Sequence, residues 1–495
     1  MYTNRILYGS LLAVLTLATT VDRVQAAEGK PSERPPNIVF MLVDNFGYGD
    51  LGSYGGGEVR GAPTPKLDQF AKEGLRLTNF NVEPECTPTR SALMTGRMPI
   101  RSGTSRVPLP GLPQGITPWE YTLAELLGDA GYTSAHFGKW HLGDVQGRYP
   151  SDQGFDEWWG FAHSSGETLN NIQPHFAEGG GKLQQLQQGK KGKKTVDLEA
   201  YDYAMRPLMD AMIADKSVTY IRDHAHSEKP FFLYVPFSLP HAPPLPNPAF
   251  KDPNRTDYQN VLMEIDYNAG RIIDAVKEAG IADNTIVIFA SDNGPETHQG
   301  PNIQFGAQSD SGPFRGEFPS GWEGAIRVPA IISWPGHIRA GRVSNEIVSA
   351  LDFYRSFATI AGAANRVPTD RPIDSIDQTD FFLGKQENSN RDSFMSFYGD
   401  DLLAIKWKNF KIHLSVRETS TGEVRMPGQQ AVTSQVLTPT YPWVFDVSND
   451  PKELWNIALA NTWIGQPVAK IQMQYYQSLV KYPNIKPGAK EPSGG

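Results

Sequence analysis

Residues 37–43 read Asn-Ile-Val-Phe-Met-Leu-Val, a nearly unbroken apolar run of strand length. Such a run predicts a strand buried on both faces of a parallel sheet. It ends in the polar, glycine-rich turn Asp44-Asn45-Phe46-Gly47-Tyr48-Gly49-Asp50. Thr64-Pro65 predicts a helix start, an N-cap followed by a first-turn proline, with Leu67, Phe70, Ala71 and Leu75 on one face. A helix over 123–130 closed by Gly131, a short strand over 133–137 and a buried strand over 231–235 follow. Residues 259–279 predict a long amphipathic helix, with Val261, Ile265, Ala269, Ile272, Ile273 and Val276 at helical spacing and Gly280 as its stop. Strands over 285–290 and 330–333 come next. Strands alternating with helices predict an α/β fold, a large mainly parallel sheet flanked by helices.

The texture changes near Asp392. Segments 393–397, 402–406, 410–413 and 443–447 are short and strand-like, and 468–480 reads as a closing helix. We therefore expect a catalytic α/β domain over 36–391 and a smaller C-terminal α+β domain over 392–495, the latter with an antiparallel sheet. Residues 179–194, a glycine run followed by Gln and Lys, read as a basic surface loop. A solvated loop is the expectation, contact with an anionic polymer the alternative.

Composition bounds the function. The chain has 495 residues and a net charge of -8, which gives no reason to expect nucleic acid as a partner. A pocket for an anion has to be made locally positive. At the N-terminus, Arg5, an apolar stretch over 6–18 and the small residues Ala26 and Ala27 have the layout of a cleaved signal peptide over 1–26. The stretch is short for the roughly 30 Å of a hydrocarbon core, so an exported protein, periplasmic or secreted, without stable membrane insertion is expected.

Cys86 is the only cysteine. In an exported chain it has no partner for an internal disulfide. By residue type alone it is a small buried hydrophobe. Four polar clusters follow expected strands: Asp44-Asn45, Gly138-Lys139-Trp140-His141, Ser238-Leu239-Pro240-His241 and Ser291-Asp292-Asn293-Gly294. Singly each reads as a turn. Together they predict a ligand site beyond the carboxyl ends of the strands.

The run Cys86-Thr87-Pro88-Thr89-Arg90, continued by Thr95-Gly96-Arg97, resembles the active-site signature of the sulfatases, members of the alkaline phosphatase superfamily. The resemblance runs from about Pro36 to the end and is dense at 37–52, 86–97, 138–143, 291–294, 322–329 and 444–451. It implies an alkaline phosphatase-like fold and hydrolysis of sulfate esters, either of aryl sulfates or of sulfated saccharides. It implies that Cys86 is oxidised to formylglycine by a formylglycine-generating enzyme. Asp44, Asn45, Asp292 and Asn293 match the metal ligands around the modified Cys86, and their oxygen donors suit calcium better than magnesium. Arg90 matches the arginine that steadies the modified residue, Lys139 and His141 match its neighbours, and His241 matches the histidine near the leaving group. An aldehyde hydrate would attack sulfur through one hydroxyl and expel sulfate through the other. On that scheme His241 is the general acid and His141 the base. The same signature admits a phosphodiester or phosphonate hydrolase, or a catalytically weak glycan-binding homologue.

Two positions depart from the family pattern. Asn45 stands where an aspartate is usual, and Phe318 where a lysine is expected ahead of Glu323-Gly324. One change removes a negative charge and the other a positive one, so we expect them to compensate. Arg315 or His298 is expected to replace the lysine as a substrate contact. Trp158, Trp159 and His163 either line the entrance or pack.

Overall fold

The computed structural model describes residues 34–296, 309–417 and 436–489. The expected leader and His298 lie outside the described residues. Strand β1 (Asn37–Asp44) is buried at every position and is central to the main sheet. It runs parallel to β7 (Phe231–Pro240) on one side and to β8 (Thr285–Ser291) on the other. Beyond β7 lie β3 (Thr133–Lys139) and β4 (Glu157–Phe161), both parallel to it in turn. The alternation of β1 serves both faces. Val39, Met41 and Val43 join one apolar cluster, and Ile38, Phe40 and Leu42 join the other. Helix α5 (Asp257–Glu278) covers the first face, and Phe353 and Phe357 of α6 (Asp352–Ile360) cover the second.

The expected α/β architecture is present, with antiparallel additions. β9 (Arg327–Ser333) runs antiparallel to β8 and to β2 (Leu75–Asn81), making this side of the sheet mixed. The basic segment expected as a loop instead supplies β5 (Gln185–Lys190), an antiparallel neighbour of β4, and β6 (Val196–Ala200) pairs with it. Backbone hydrogen bonds to β4 order this polar stretch where side-chain patterning gives no strand signal. Trp158 and Trp159, on β4, are buried and pack. Thr64 precedes α1 (Pro65–Glu73) as expected but does not cap it; its hydroxyl accepts from Gly52 N–H at 2.9 Å. Helix α5 begins two residues earlier than its periodicity suggests because Thr256 and Gln259 cap each other reciprocally.

Toward the C-terminus, β10 (Ser393–Tyr398), β11 (Asp401–Trp407), β12 (Phe410–His413) and β13 (Trp443–Asp446) form an antiparallel sheet in that order. Helix α7 (Gly465–Lys481) packs on it through Val468. Buried charge ties this sheet to the segment before β9. Glu323 accepts from Lys406 at 2.7 Å and from Lys411 at 3.1 Å, and Glu453 meets His413 at 2.7 Å. Burial would raise the Glu323 pKa, but Lys406 and Lys411 outweigh it and hold the carboxyl well below the usual range. Among the described residues no helix is long and apolar enough to cross a membrane.

Removing one partner of such a cluster strands the other. Glu323→Ala leaves two buried ammonium groups short of their counter-charge and should cost about 3–5 kcal/mol. Urea unfolding of the purified variant checks this, and an unchanged midpoint would mean that the cluster does not hold the sheet in place.

Candidate active site

Strands β1, β3, β7 and β8 deliver their carboxyl ends to one place, and helix α2 (Cys86–Thr95) points its first residue into it. Pro88 falls in the first turn of α2, where a missing N–H costs no helical bond. Gly96, with φ 65°, ends the helix and donates to Ala92 O. Cys86 and Arg90 are four residues apart and share a face. The cysteine also sits at the positive end of the helix dipole, which favours an anionic ligand there.

Arg90 is fully buried and every arm has a partner. Its Nε and Nη2 donate to Asp292 Oδ2 at 3.0 and 2.7 Å, and Nη1 donates to the Lys139 carbonyl at 3.0 Å. Nη2 also lies 3.5 Å from Asp44 Oδ1. Lys139 Nζ donates to Asp44 Oδ2 at 2.7 Å. The Cys86 thiol lies 3.4 Å from Asp44 Oδ1 and 3.6 Å from Asn45 Oδ1. Asn45 has φ 64°, a left-handed conformation that Asn tolerates, and its N–H donates to Asp292 Oδ1 at 3.0 Å. The four ligand candidates and Cys86 are thus one cluster.

The charges divide unequally. Burial works to raise the Asp44 pKa, but Lys139, His241 and Arg90 hold it well below the carboxylate range. Asp292 is pushed up to about 6, by burial first and then by Asp44, against the pull of Arg90. Burial raises the Cys86 thiol as well, so the unmodified residue is a poor nucleophile.

A hard cation fits these residues. One ligand atom each from Asp44, Cys86 and Asp292 lies within 4.8 Å of the others. Asn293 Oδ1 is buried with no hydrogen-bond partner, although its Nδ2 donates to Asn45 Oδ1 at 2.7 Å. A buried orphan acceptor costs about 1–3 kcal/mol, which coordination would remove.

Two histidines flank the cluster. His141, with φ 58°, is buried with neither ring nitrogen hydrogen-bonded. Burial first, then Lys139 and Arg90, keeps it neutral by lowering its pKa well below the usual value. Thr87 Oγ1 donates to the His141 carbonyl at 2.7 Å, tying α2 to this loop. His241 Nδ1 lies 2.7 Å from Ala242 O, and its Nε2 lies 3.1 Å from Ser164 Oγ. Burial lowers its pKa, with Glu296 and Asp44 in partial opposition. His163, next to Ser164, holds Asp144 at 2.7 Å and Glu167 at 3.7 Å.

Arg315, the expected substrate contact, lies against Trp322 and Glu453. Its guanidinium lies 3.8 Å from the Trp322 ring centroid and donates to the Glu453 carbonyl at 3.3 Å. Phe318 is adjacent to the site through its backbone, its N–H donating to Pro295 O at 3.0 Å. Residue-by-residue reading missed Glu296 and Ser164. Glu296 is three residues past Asn293 in the same strand-end loop, so its position was the available signal; Ser164 had none.

The family model described as Sulfatase matches residues 36–363. N-acetylgalactosamine-6-sulfatase of Canis lupus familiaris is 34% identical over 483 residues, covering 92% of this chain and 88% of that protein. Arylsulfatase A of Homo sapiens is 32% identical over 444 residues, covering 87% and 85% respectively. Among solved structures, PsFucS1 sulfatase from Pseudoalteromonas sp. is 33% identical with a TM-score of 0.83 over 92% of each chain.

A divalent cation added to the chelated protein at 100 times its Kd should stabilise it by about 2.7 kcal/mol, read as a rise in Tm. Asp44→Ala should lose most of that rise; a variant with the full rise would place the cation elsewhere.

Proposed function

The chain belongs to the sulfatase family, hydrolases of sulfated glycans or aryl sulfates, and from that premise we propose that Cys86 is the precursor of its nucleophile and a sulfated saccharide its substrate. The observation that carries the first part is the convergence on Cys86, at the head of α2, of Asp44, Asn45, Asp292 and Asn293 with Arg90 and Lys139 behind them. In formylglycine form, residue 86 supplies an aldehyde whose hydrate offers one hydroxyl to attack sulfur and another to release sulfate. A cation held by Asp44, Asn45, Asp292 and Asn293, for which calcium suits the oxygen donors, would draw charge from the sulfate oxygens.

The protein groups divide the remaining work. Arg90, saturated by Asp292 and the Lys139 carbonyl, orients the carboxylate and the helix that carries residue 86. Lys139 brings an ammonium to the anionic transition state. His141 has both ring nitrogens unpartnered, which leaves one to take the proton in the second transfer. His241 donates the proton to the leaving oxygen. The saccharide part of the reading rests on the polar rim beside His241, where Ser164, His163, Asp144 and Glu167 offer partners for hydroxyl groups. The relative named N-acetylgalactosamine-6-sulfatase acts in the same direction of argument.

Export, periplasmic or secreted, through the 1–26 leader and maturation by a formylglycine-generating enzyme belong to the same reading. So does the division into a catalytic domain over 36–391 and a C-terminal α+β subdomain over 392–495.

A general acid matters most when the leaving group is poor. His241→Ala should lower kcat/KM for a sulfated monosaccharide by about 10²–10⁴-fold and for p-nitrophenyl sulfate far less. Equal losses would remove the general-acid assignment. Because His241 must be protonated and burial lowers its pKa, saccharide kcat/KM should fall as pH rises, with its midpoint on the acid side of the usual imidazole value. That limb should vanish in His241→Ala. A preference for p-nitrophenyl phosphate over the sulfate would overturn the sulfate-ester assignment.

A further inference from the structure

We propose that Glu296 is a positioning residue for the cation site: it turns the Asn45 amide oxygen toward Cys86 and supplies, one hydrogen bond away, the negative charge that an amide ligand lacks. This rests on the ligand set assigned above. The two ends of a carboxamide are chemically opposite. Oδ1 accepts or coordinates, whereas Nδ2 only donates. An amide turned the wrong way would aim N–H groups at the place where a cation is to sit. Glu296 Oε2 lies 2.8 Å from Asn45 Nδ2, and an ionised carboxylate accepts only, so this contact fixes which end faces it. On the opposite side Asn293 Nδ2 donates to Asn45 Oδ1 at 2.7 Å, which agrees with the same orientation.

The loop carrying Glu296 is pinned. Gly294 N–H donates to Ala325 O at 2.7 Å, and Pro295 O accepts from Phe318 N–H at 3.0 Å. A Cβ at Gly294 would stand 1.9 Å from the Gly324 carbonyl oxygen, so the loop packs against the 324 backbone at a distance that only glycine permits. The carboxylate reaches further: Ala242 N–H donates to Glu296 Oε2 at 3.4 Å, and His241 Nδ1 lies 3.9 Å from the same oxygen. Glu296 is only 9% exposed. One buried carboxylate therefore holds an amide of the cation site and the loop of the leaving-group histidine together.

Calcium titration calorimetry on the chelated full chain tests this without any turnover. Glu296→Gln should weaken calcium binding by about 10-fold or more, because its own amide satisfies either end of Asn45 and carries no charge. The metal-free Tm should stay level or rise. Asn45→Asp in the Glu296→Gln background should restore affinity by placing the charge on the ligand itself. Asn45→Asp alone should set two carboxylates against each other, lowering the metal-free Tm, with calcium restoring more stability than in the parent protein. Glu296→Gln with the parent Kd, or a loss that Asn45→Asp fails to rescue, overturns the proposal. If Glu296→Gln does not fold, an Asn45→Asp protein with the parent metal-free Tm overturns it instead. A parent protein that binds no calcium overturns the ligand set and this proposal together.

Discussion

The buried guanidinium of Arg90 is the interaction on which the rest of the site depends. It reaches Asp292 after β8, the Lys139 carbonyl at the end of β3 and Asp44 at the end of β1 from one position on α2. A fully buried cation is tolerable only when paired and hydrogen-bonded, and Arg90 meets both conditions. Its planar fork is what allows a two-point grip on Asp292 together with a third bond in another direction; a lysine has no such geometry. Because Cys86 lies one helical turn before Arg90, fixing the guanidinium fixes the residue proposed as the precursor of the nucleophile.

That grip imposes a charge constraint. Arg90 and Lys139 face Asp44 and Asp292, and the four groups balance before any ligand binds. A divalent cation would then exceed by one the single negative charge of a sulfate ester. Asn45 in place of an acidic ligand and Phe318 in place of a lysine were expected to cancel. The geometry alters that accounting, because Glu296 returns a carboxylate next to the Asn45 amide. Arg315, expected to return the positive charge missing at 318, has described contacts with Trp322 and Glu453.

Much of this was legible in the chain. The apolar runs behind β1, β7 and β8 have the signature of strands covered on both faces, and α5 has a clear helical period. The polar residues at their ends therefore had a common destination. Helix α2 was harder to see, since Pro88 and the β-branched Thr87 and Thr89 argue locally against a helix that tertiary packing nonetheless buries completely. Strand β5 was invisible because Gln, Gly and Lys are poor strand formers; its partner β4 makes it a strand.

All of these groups are arranged around Cys86, whose thiol pKa burial raises, so the chemical identity of residue 86 is the central claim. Mass spectrometry of the tryptic peptide running from Leu77 to Arg90, taken from catalytically active protein, reads it directly. Conversion to formylglycine predicts a mass about 18 Da below that of the thiol peptide. Active protein in which this peptide carries the full thiol mass would contradict the account.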